Sequence, residues 1–367
     1  MISFLWRKMW KNKWMMICLL VGNLLLVGIV SATPLYINAT MTRILHQNMR
    51  NYQIEHDTYP ALMSMQFIFN NTPQRERINT YLDAMNEFSP GLVSEMGVPA
   101  LRTIRQDSMT GWHLLPYEQR DVTPRPRITH LTGITGMEEN IVITHGRMPS
   151  RTMADGNIIE AIITEQALLR NNLILNEILE VSNVRLDDEA NATYFVKLVG
   201  MYDLAEGSDA YWSISQLEHH TSRILISDDL ILRHFIFNYH PDYRITTTWH
   251  HLLDYRAMTS RGVPHYLETL EHHEERFGLA GSRQRFTFTE NFSQILEYHT
   301  ERAAPLAVTL WVLQVPIYVL LAFYIYMVSR QILQMEQNEI SVLKSRGASR
   351  GQILGLYAMQ GLFIAAI

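Results

Sequence analysis

Three apolar runs divide this chain, and no other feature limits its fold as strongly. Met15 to Ala32 is an 18-residue run broken by Asn23, and Pro305 to Val328 is a 24-residue run with Gln314 inside it. Ile353 to Ile367 adds 15 apolar-rich residues at the end of the sequence. A helix rises about 1.5 Å per residue, so the second run crosses a hydrocarbon core of about 30 Å with some tilt. The first run follows Arg7, Lys8, Lys11 and Lys13, with Trp6, Trp10 and Trp14 as interfacial anchors. A cleaved signal peptide is its rival reading, because Val30-Ser31-Ala32 resembles a cleavage site. The length of the run and the later apolar segments favour an anchor. The third run covers only about 22 Å, so it reads as the start of a third membrane helix in a longer protein.

Charge orients these spans. Three of the five lysines lie in the first 14 residues, which carry +4, and residues 329–352 carry +2. With a total of −5, the remainder carries −11. Short basic flanks face the cytoplasm, whereas a long acidic domain is translocated regardless of its charge. The expected layout is a cytoplasmic segment at 1–14, a first span at 15–33 and an extracytoplasmic region at 34–303. A second span at 304–328, a cytoplasmic loop at 329–352 and the beginning of a third span at 353–367 follow. The pattern is that of a membrane protein in contact with lipid and excludes a nucleic-acid binder. The single Cys18 excludes an intrachain disulfide and a cysteine-based zinc site.

The outer region reads as an α+β domain of two lobes, one assembled from noncontiguous segments. Thr72-Pro73 is a helix start, and Ile78, Tyr81, Leu82, Met85 and Phe88 recur at helical spacing until Pro90. Prolines 99, 116, 124 and 126 suggest short strands joined by loops over 91–136. Ile158 to Ile163 is a strand, and Thr164 caps a short helix through Arg170. Glu177 to Val184 and Tyr194 to Tyr202 form a strand pair around Asp187-Asp188-Glu189. Arg223 to Ser227 is a strand ended by Asp228 as a cap, and Pro264 to Phe277 is a helix stopped by Gly278. Pro34 to Asn51 and the residues from Asn291 to the second span read as stalk helices.

The chemistry of common enzymes is missing. No lysine follows a glycine, so no phosphate-binding loop of the G-x-x-x-x-G-K type exists, and no H-E-x-x-H occurs. The doublets His219-His220, His250-His251 and His272-His273 invite a metal reading. Neighbouring helical side chains diverge by about 100°, so His272-His273-Glu274-Glu275 reads as a solvated helix face. Four Asn-x-Ser/Thr sequons are within the number expected by chance. The chain is read as non-catalytic and without a cofactor.

One segment stands out: Glu339-Ile340-Ser341-Val342-Leu343-Lys344-Ser345-Arg346-Gly347-Ala348, followed by Ser349-Arg350-Gly351-Gln352-Ile353. It reads as a short amphipathic helix with Ile340, Val342 and Leu343 apolar, a Gly-Ala break, and basic residues at a membrane entry. Here the chain resembles the FtsX-like permeases, in the MacB-type branch of ABC transporter membrane subunits. Their loop reads E-I-(small)-hydrophobic, then G-A, a basic stretch and Ile. Glu339, Ile340, Ser341, Val342, Gly347, Ala348 and Ile353 fall on that pattern without a gap. The family often has a basic residue where Leu343 stands, and Lys344 lies next to it. A second similarity lies outside, where His145-Gly146-Arg147-Met148-Pro149 precedes Ile159-Glu160-Ala161-Ile162-Ile163-Thr164-Glu165, with Val199-Gly200 later. The family's usual Gly-Asp is replaced by Asn176-Glu177.

The resemblance implies a multi-pass protein of the bacterial plasma membrane with stalk helices and a large outer domain. It implies a homodimer or heterodimer of permeases that recruits a separate ABC ATPase through Glu339, Ile340, Val342, Leu343, Lys344, Arg346, Gly347 and Ala348. ATP hydrolysis by that partner would drive work outside, on a peptide, lipoprotein or other envelope substrate. An FtsX-like activator of wall hydrolases and a membrane-bound sensor are the alternatives. The charge pattern predicts that a cysteine at Ser341, in a Cys18→Ser background, resists impermeant thiol reagents in intact cells. Labelling from outside would overturn the topology.

Overall fold

The first apolar run does not end at membrane thickness. In the computed structural model, which describes residues 13–69, 75–116, 127–181, 193–214, 223–237, 244–279, 286–345 and 347–365, it opens helix α1, Lys13–His56. Pro34 lies inside this helix. Proline removes one backbone donor, and nearby hydroxyls bond back to the helix: Ser31 Oγ donates to the Val27 carbonyl at 2.7 Å and Thr33 Oγ1 to the Ile29 carbonyl at 2.8 Å. Helix α7, Ser293–Ser345, carries the second apolar run through Pro305 and Pro316. Both helices are long and apolar enough to cross a membrane, and their most apolar stretches are 11% and 0% buried. A core helix of a soluble protein buries such residues; these present them outward.

The chain divides into two compact units, Met1–Met41 with Glu301–Ile367, and Thr42–Thr300. The second is a mixed α/β unit whose strands form one ten-stranded sheet. Its strands are β1 (Leu62–Phe69), β2 (Ala100–Pro116), β3 (Arg127–Ile134), β4 (Ile141–Gly146) and β5 (Ile158–Ile163). After them come β6 (Ile178–Val181), β7 (Phe195–Leu204), β8 (Ile224–Leu225), β9 (Ile245–Leu253) and β10 (Phe286–Glu290). The order is β10-β1-β9-β2-β3-β8-β5-β7-β4, and β6 pairs with both β2 and β7. Strands β2, β3, β8, β5, β7 and β6 therefore close a circuit of pairings, while β10, β1, β9 and the first part of β2 extend from it as an antiparallel sheet. The expected two lobes share strand β2 and one continuous apolar core.

Helices α2 (Arg75–Met96) and α6 (Val263–Leu279) pack against one face of the antiparallel sheet. Alternation in β1 puts Met63, Met65, Phe67 and Phe69 on the helix side, each at most 2% exposed. Leu82, Leu92 and Met96 bury from α2, and Val263, Tyr266 and Leu270 from α6. Trp249 donates to Asn86 Oδ1 at 3.1 Å, and Ser89 bonds His251 Nε2 at 2.7 Å, fixing α2 on β9.

Several local expectations change. Pro90 does not end α2: the helix runs on to Met96, and Gly97, with φ 65°, terminates it. Burial on both sides of the proline outweighs its local cost of about 3 kcal/mol. Among the described residues, the 91–136 region holds a 17-residue strand, β2, where shorter ones were expected, and the short strand β3. Its irregularities fall at Ala100/Arg102 and Met109/Trp112, beside Gly111 at φ 79°. Such bulges bend a strand without ending it. Ile158–Ile163 and α3 (Glu165–Arg170) are as expected, and Thr164 Oγ1 accepts from the Ala167 N–H at 3.2 Å. Strands β6 and β7 pair antiparallel as expected. Ser227, not Asp228, holds the cap position before the short helix α5, Asp228–Leu230, and Gly278 lies inside α6 one residue before its end. Thr72-Pro73, Pro124, Pro126, Asp187-Asp188-Glu189 and His219-His220 lie outside the described residues.

Of the described doublets, His250, His251 and His273 are buried, while His272 is exposed. His273 is fully buried, 5.8 Å from the Phe288 ring, so the 272–275 face is not wholly solvated. The 3-4-3 spacing of Val263, Tyr266, Leu270 and His273 turns it inward. His250 and His251 stand on opposite faces of β9. His250 Nδ1 meets Ser64 Oγ at 2.8 Å, and His251 Nδ1 meets Thr103 Oγ1 at 3.0 Å. Among the described residues no group of three metal-ligating side chains converges.

Burial pushes His250 down to about 3 and His251 down to about 4. Below the ordinary histidine range near 6.5 the unfolded chain binds protons that the folded chain refuses, so stability falls with falling pH. We expect thermal melting of the chain to shift downward from pH 6.5 toward pH 4, with each histidine contributing a slope of up to about 1.4 kcal/mol per pH unit. His251→Asn should flatten the profile; an unchanged slope would refute this assignment.

Candidate functional site

The segment 339–348 is not a separate short helix. Nothing between Val328 and Ser345 breaks a helix, so α7 continues through Ser345, where Ser345 Oγ donates to the Val342 carbonyl at 2.9 Å. Gly347, at φ 87°, then turns the chain, and its N–H donates to the Lys344 carbonyl at 3.0 Å. Left-handed backbone at a helix end favours glycine. Helix α8 (Arg350–Ala365) starts with a reciprocal cap: Gln352 N–H donates to Ser349 Oγ at 3.3 Å, and Ser349 N–H to Gln352 Oε1 at 3.0 Å. This Ser-x-x-Gln signal is a sequence-level mark of the helix start.

Helical geometry divides the expected apolar set. Positions 340 and 343 are three residues apart and share a face, while position 342 lies about 200° from 340. Ile340 is half-buried, whereas Val342 is 52% exposed. Lys344 and Gly347 are exposed and Ala348 is half-buried. Glu339 and Leu343 belong to α7, and Arg346 lies outside the described residues.

The spans carry polar contacts that the sequence reading missed. Thr33 Oγ1 and Tyr318 OH lie 2.7 Å apart, and Tyr318 OH donates to Gln314 Oε1 at 3.2 Å. Tyr324 OH donates to the Cys18 carbonyl at 3.1 Å, and a Cβ on Gly22 would strike the Tyr324 ring at 2.6 Å. Small residues and satisfied hydroxyls hold apolar helices together where burial from water gives no drive. Asn23 and Gln314 were visible as polar interruptions; Thr33 and Tyr318 carried no signal of pairing.

In the unit Thr42–Thr300, α1 and α7 grip one loop. His46 Nε2 meets the Met258 carbonyl at 2.8 Å, and Thr42 Oγ1 accepts from the Ser260 N–H at 3.1 Å. From α7, His299 Nε2 meets Ser260 Oγ at 2.9 Å. Burial holds His299 below its ordinary range, favouring a neutral ring that exchanges one hydrogen bond with the hydroxyl.

The 145–149 and 159–165 motifs also meet. Arg147 forks onto both oxygens of Glu160, and Ser150 N–H donates to Glu160 Oε2 at 3.0 Å. The Arg147 hydrogen bonds are the main cause lowering the Glu160 carboxyl. Gly146, at φ 77°, lies opposite Gly200 in the β4–β7 ladder. A Cβ on either would collide with backbone atoms of the other strand. The motif is a close strand crossing locked by a buried carboxylate.

These features define a chain with two membrane-length helices and a mixed-sheet unit between them. No protein-family model matches it, and no curated protein matches it. Among solved structures it is similar to a domain of a protein provisionally named a permease, from Porphyromonas gingivalis, at 12% identity with a TM-score of 0.27. That similarity covers 62% of this chain and 88% of the other.

Gly200→Ala should destabilise the sheet unit by about 1–3 kcal/mol through its clash with the Arg147 backbone. Thermal melting would show a drop of several degrees, while Gly91→Ala, with open space around its Cβ, should melt no lower. Equal melting of Gly200→Ala and wild type would refute the close crossing.

Proposed function

We propose that the chain is the membrane subunit of a transport system whose energy comes from a separate ABC ATPase, and that it performs its work on the outer side of a bacterial plasma membrane. The observation that carries this reading is the insertion of unit Thr42–Thr300 between two helices, each continuous with a membrane-length apolar stretch. Helix α7 begins at the sheet unit and ends at the Glu339–Ala348 segment that resembles the FtsX-like, MacB-type loop. A displacement at that segment therefore has an unbroken helical path to residue 293. The chain acts as a permease dimer without catalysis of its own, moving peptide, lipoprotein or envelope substrates. An envelope-signalling role, as in wall-hydrolase activation, would use the same path.

Position 340 is the centre of the proposed docking face, with 343 beside it and Lys344 flanking. Burying an apolar side chain of this size contributes roughly 1.5–3 kcal/mol. Ile340→Asp with Leu343→Asp should weaken binding to the partner ATPase by about two to four orders of magnitude. Val342→Asp, on the opposite side of the helix, should weaken it far less. The readout is co-purification and titration with the proposed partner ABC ATPase, using variants that insert normally. Unchanged affinity of the double variant would remove the residue-level support for the transporter reading.

A further inference from the structure

The antiparallel sheet has a second face, and its composition is unlike the first. Pairing across the strands places Thr289, Ser64 and His250 in one row, and Gln66, Thr248 and Gln106 in the next. All point away from α2 and α6, because the residues between them (Met63, Met65, Trp249) face the helices. A core-forming sheet has no need of six polar side chains in adjacent rows on a partly covered face. Over this face lies a cavity of about 310 Å³, walled also by Leu62, Ile214 and Arg223. Its size is at the lower end of small-molecule sites.

Arg223 is the unusual member. It is half-buried, and its Nη1 donates to Gln106 Oε1, a neutral amide, at 2.9 Å. Among the described residues no carboxylate pairs with it. Burial lowers its affinity for the proton, and among the described residues the compensating interaction is with Tyr202, a neutral phenol. A guanidinium withdrawn from water without an anion is costly, and its remaining donors form a fork suited to an oxyanion. Around it the cavity offers hydroxyls from Ser64, Thr248 and Thr289 and the Gln66 amide, whose contact to Thr248 Oγ1 is long at 3.5 Å.

We propose that this cavity is a binding site for a small organic carboxylate, its charge held by Arg223 and its short apolar body against Leu62 and Ile214. One formal positive charge in the cavity matches a monoanion better than a phosphate dianion. His250 supplies no second charge: its ring is kept neutral, with Nδ1 on Ser64 and Nε2 buried without a partner. The site lies wholly within the sheet unit and does not depend on the transport reading.

The test is calorimetric titration of the chain in detergent micelles with sodium butyrate, butyramide and inorganic phosphate. Butyrate should bind saturably at one site, and butyramide at least about tenfold more weakly. Arg223→Gln should weaken butyrate at least about tenfold and, without butyrate, melt no lower than wild type, since it removes an uncompensated charge. Should that variant fail to fold, Gln66→Leu and Thr289→Val report instead, each expected to weaken butyrate several-fold. Equal affinity of butyrate for wild type and the variants would overturn the proposal, as would absence of saturable binding. Saturable phosphate binding without butyrate binding would overturn the carboxylate assignment.

Discussion

Both membrane-length helices are fastened to the same short loop, and the sheet unit is organised around that fastening. Met258 and Ser260 belong to the connection between β9 and α6, and they receive His46 and Thr42 from α1 and His299 from α7. Each neutral hydrogen bond contributes about 1 kcal/mol net, so the three are modest as stabilisers. Their importance is geometric. Met258 is fully buried, so the loop cannot follow one helix without displacing β9 or α6. Strand β9 lies between β1 and β2, and α6 packs beside β10; movement at the loop reaches the whole antiparallel sheet.

Both fastened helices are long and carry prolines. Helix α7 has 53 residues, a length of about 80 Å. Pro305 and Pro316 each remove a backbone donor, and the carbonyls one turn earlier lose their usual partners. Thr309 Oγ1 donates to the Pro305 carbonyl at 2.9 Å, adding a local bond one turn after the first proline. The prolines thus mark the places where bending costs least in an otherwise continuous element.

The sequence announced what depends on local chemistry. Apolar length marked the spans, Thr164 marked its helix, and the run from Ile158 to Ile163 marked a strand buried between two neighbours. It failed where distant packing decides. Pro90 looked like a helix end because its local cost is visible, whereas the burial of Leu92 and Met96 beyond it is not. Four prolines suggested short strands around β2, yet Pro116 merely terminates a long one and bulges absorb its bends. Doubled histidines suggested solvent or metal because adjacency is visible in sequence; the opposite faces to which a strand sends them depend on register. In the 339–348 segment, apolar content was legible, but the short amphipathic helix read there grouped Ile340, Val342 and Leu343 together, although helical geometry sets position 342 about 200° from 340.

The two faces of the antiparallel sheet explain how one unit combines a rigid frame with an adaptable surface. On the helix side, Met63, Met65 and Phe67 interlock with α2 and α6, and even the polar contacts there, Ser89 to His251 and Asn86 to Trp249, serve attachment. On the other side, the same strands present Ser64, Gln66, Thr248 and Gln106: Ser64 Oγ meets His250 Nδ1 at 2.8 Å, Gln66 donates to Thr248 Oγ1 at 3.5 Å, and Gln106 donates to Ser108 Oγ at 3.3 Å. Because side chains alternate with a period of two, neither set can slip toward the other without reversing the whole strand. The register that locks the helices onto one face therefore also fixes the polar rows beneath Arg223. Any displacement carried into β9 through the 258–260 loop must move both faces together.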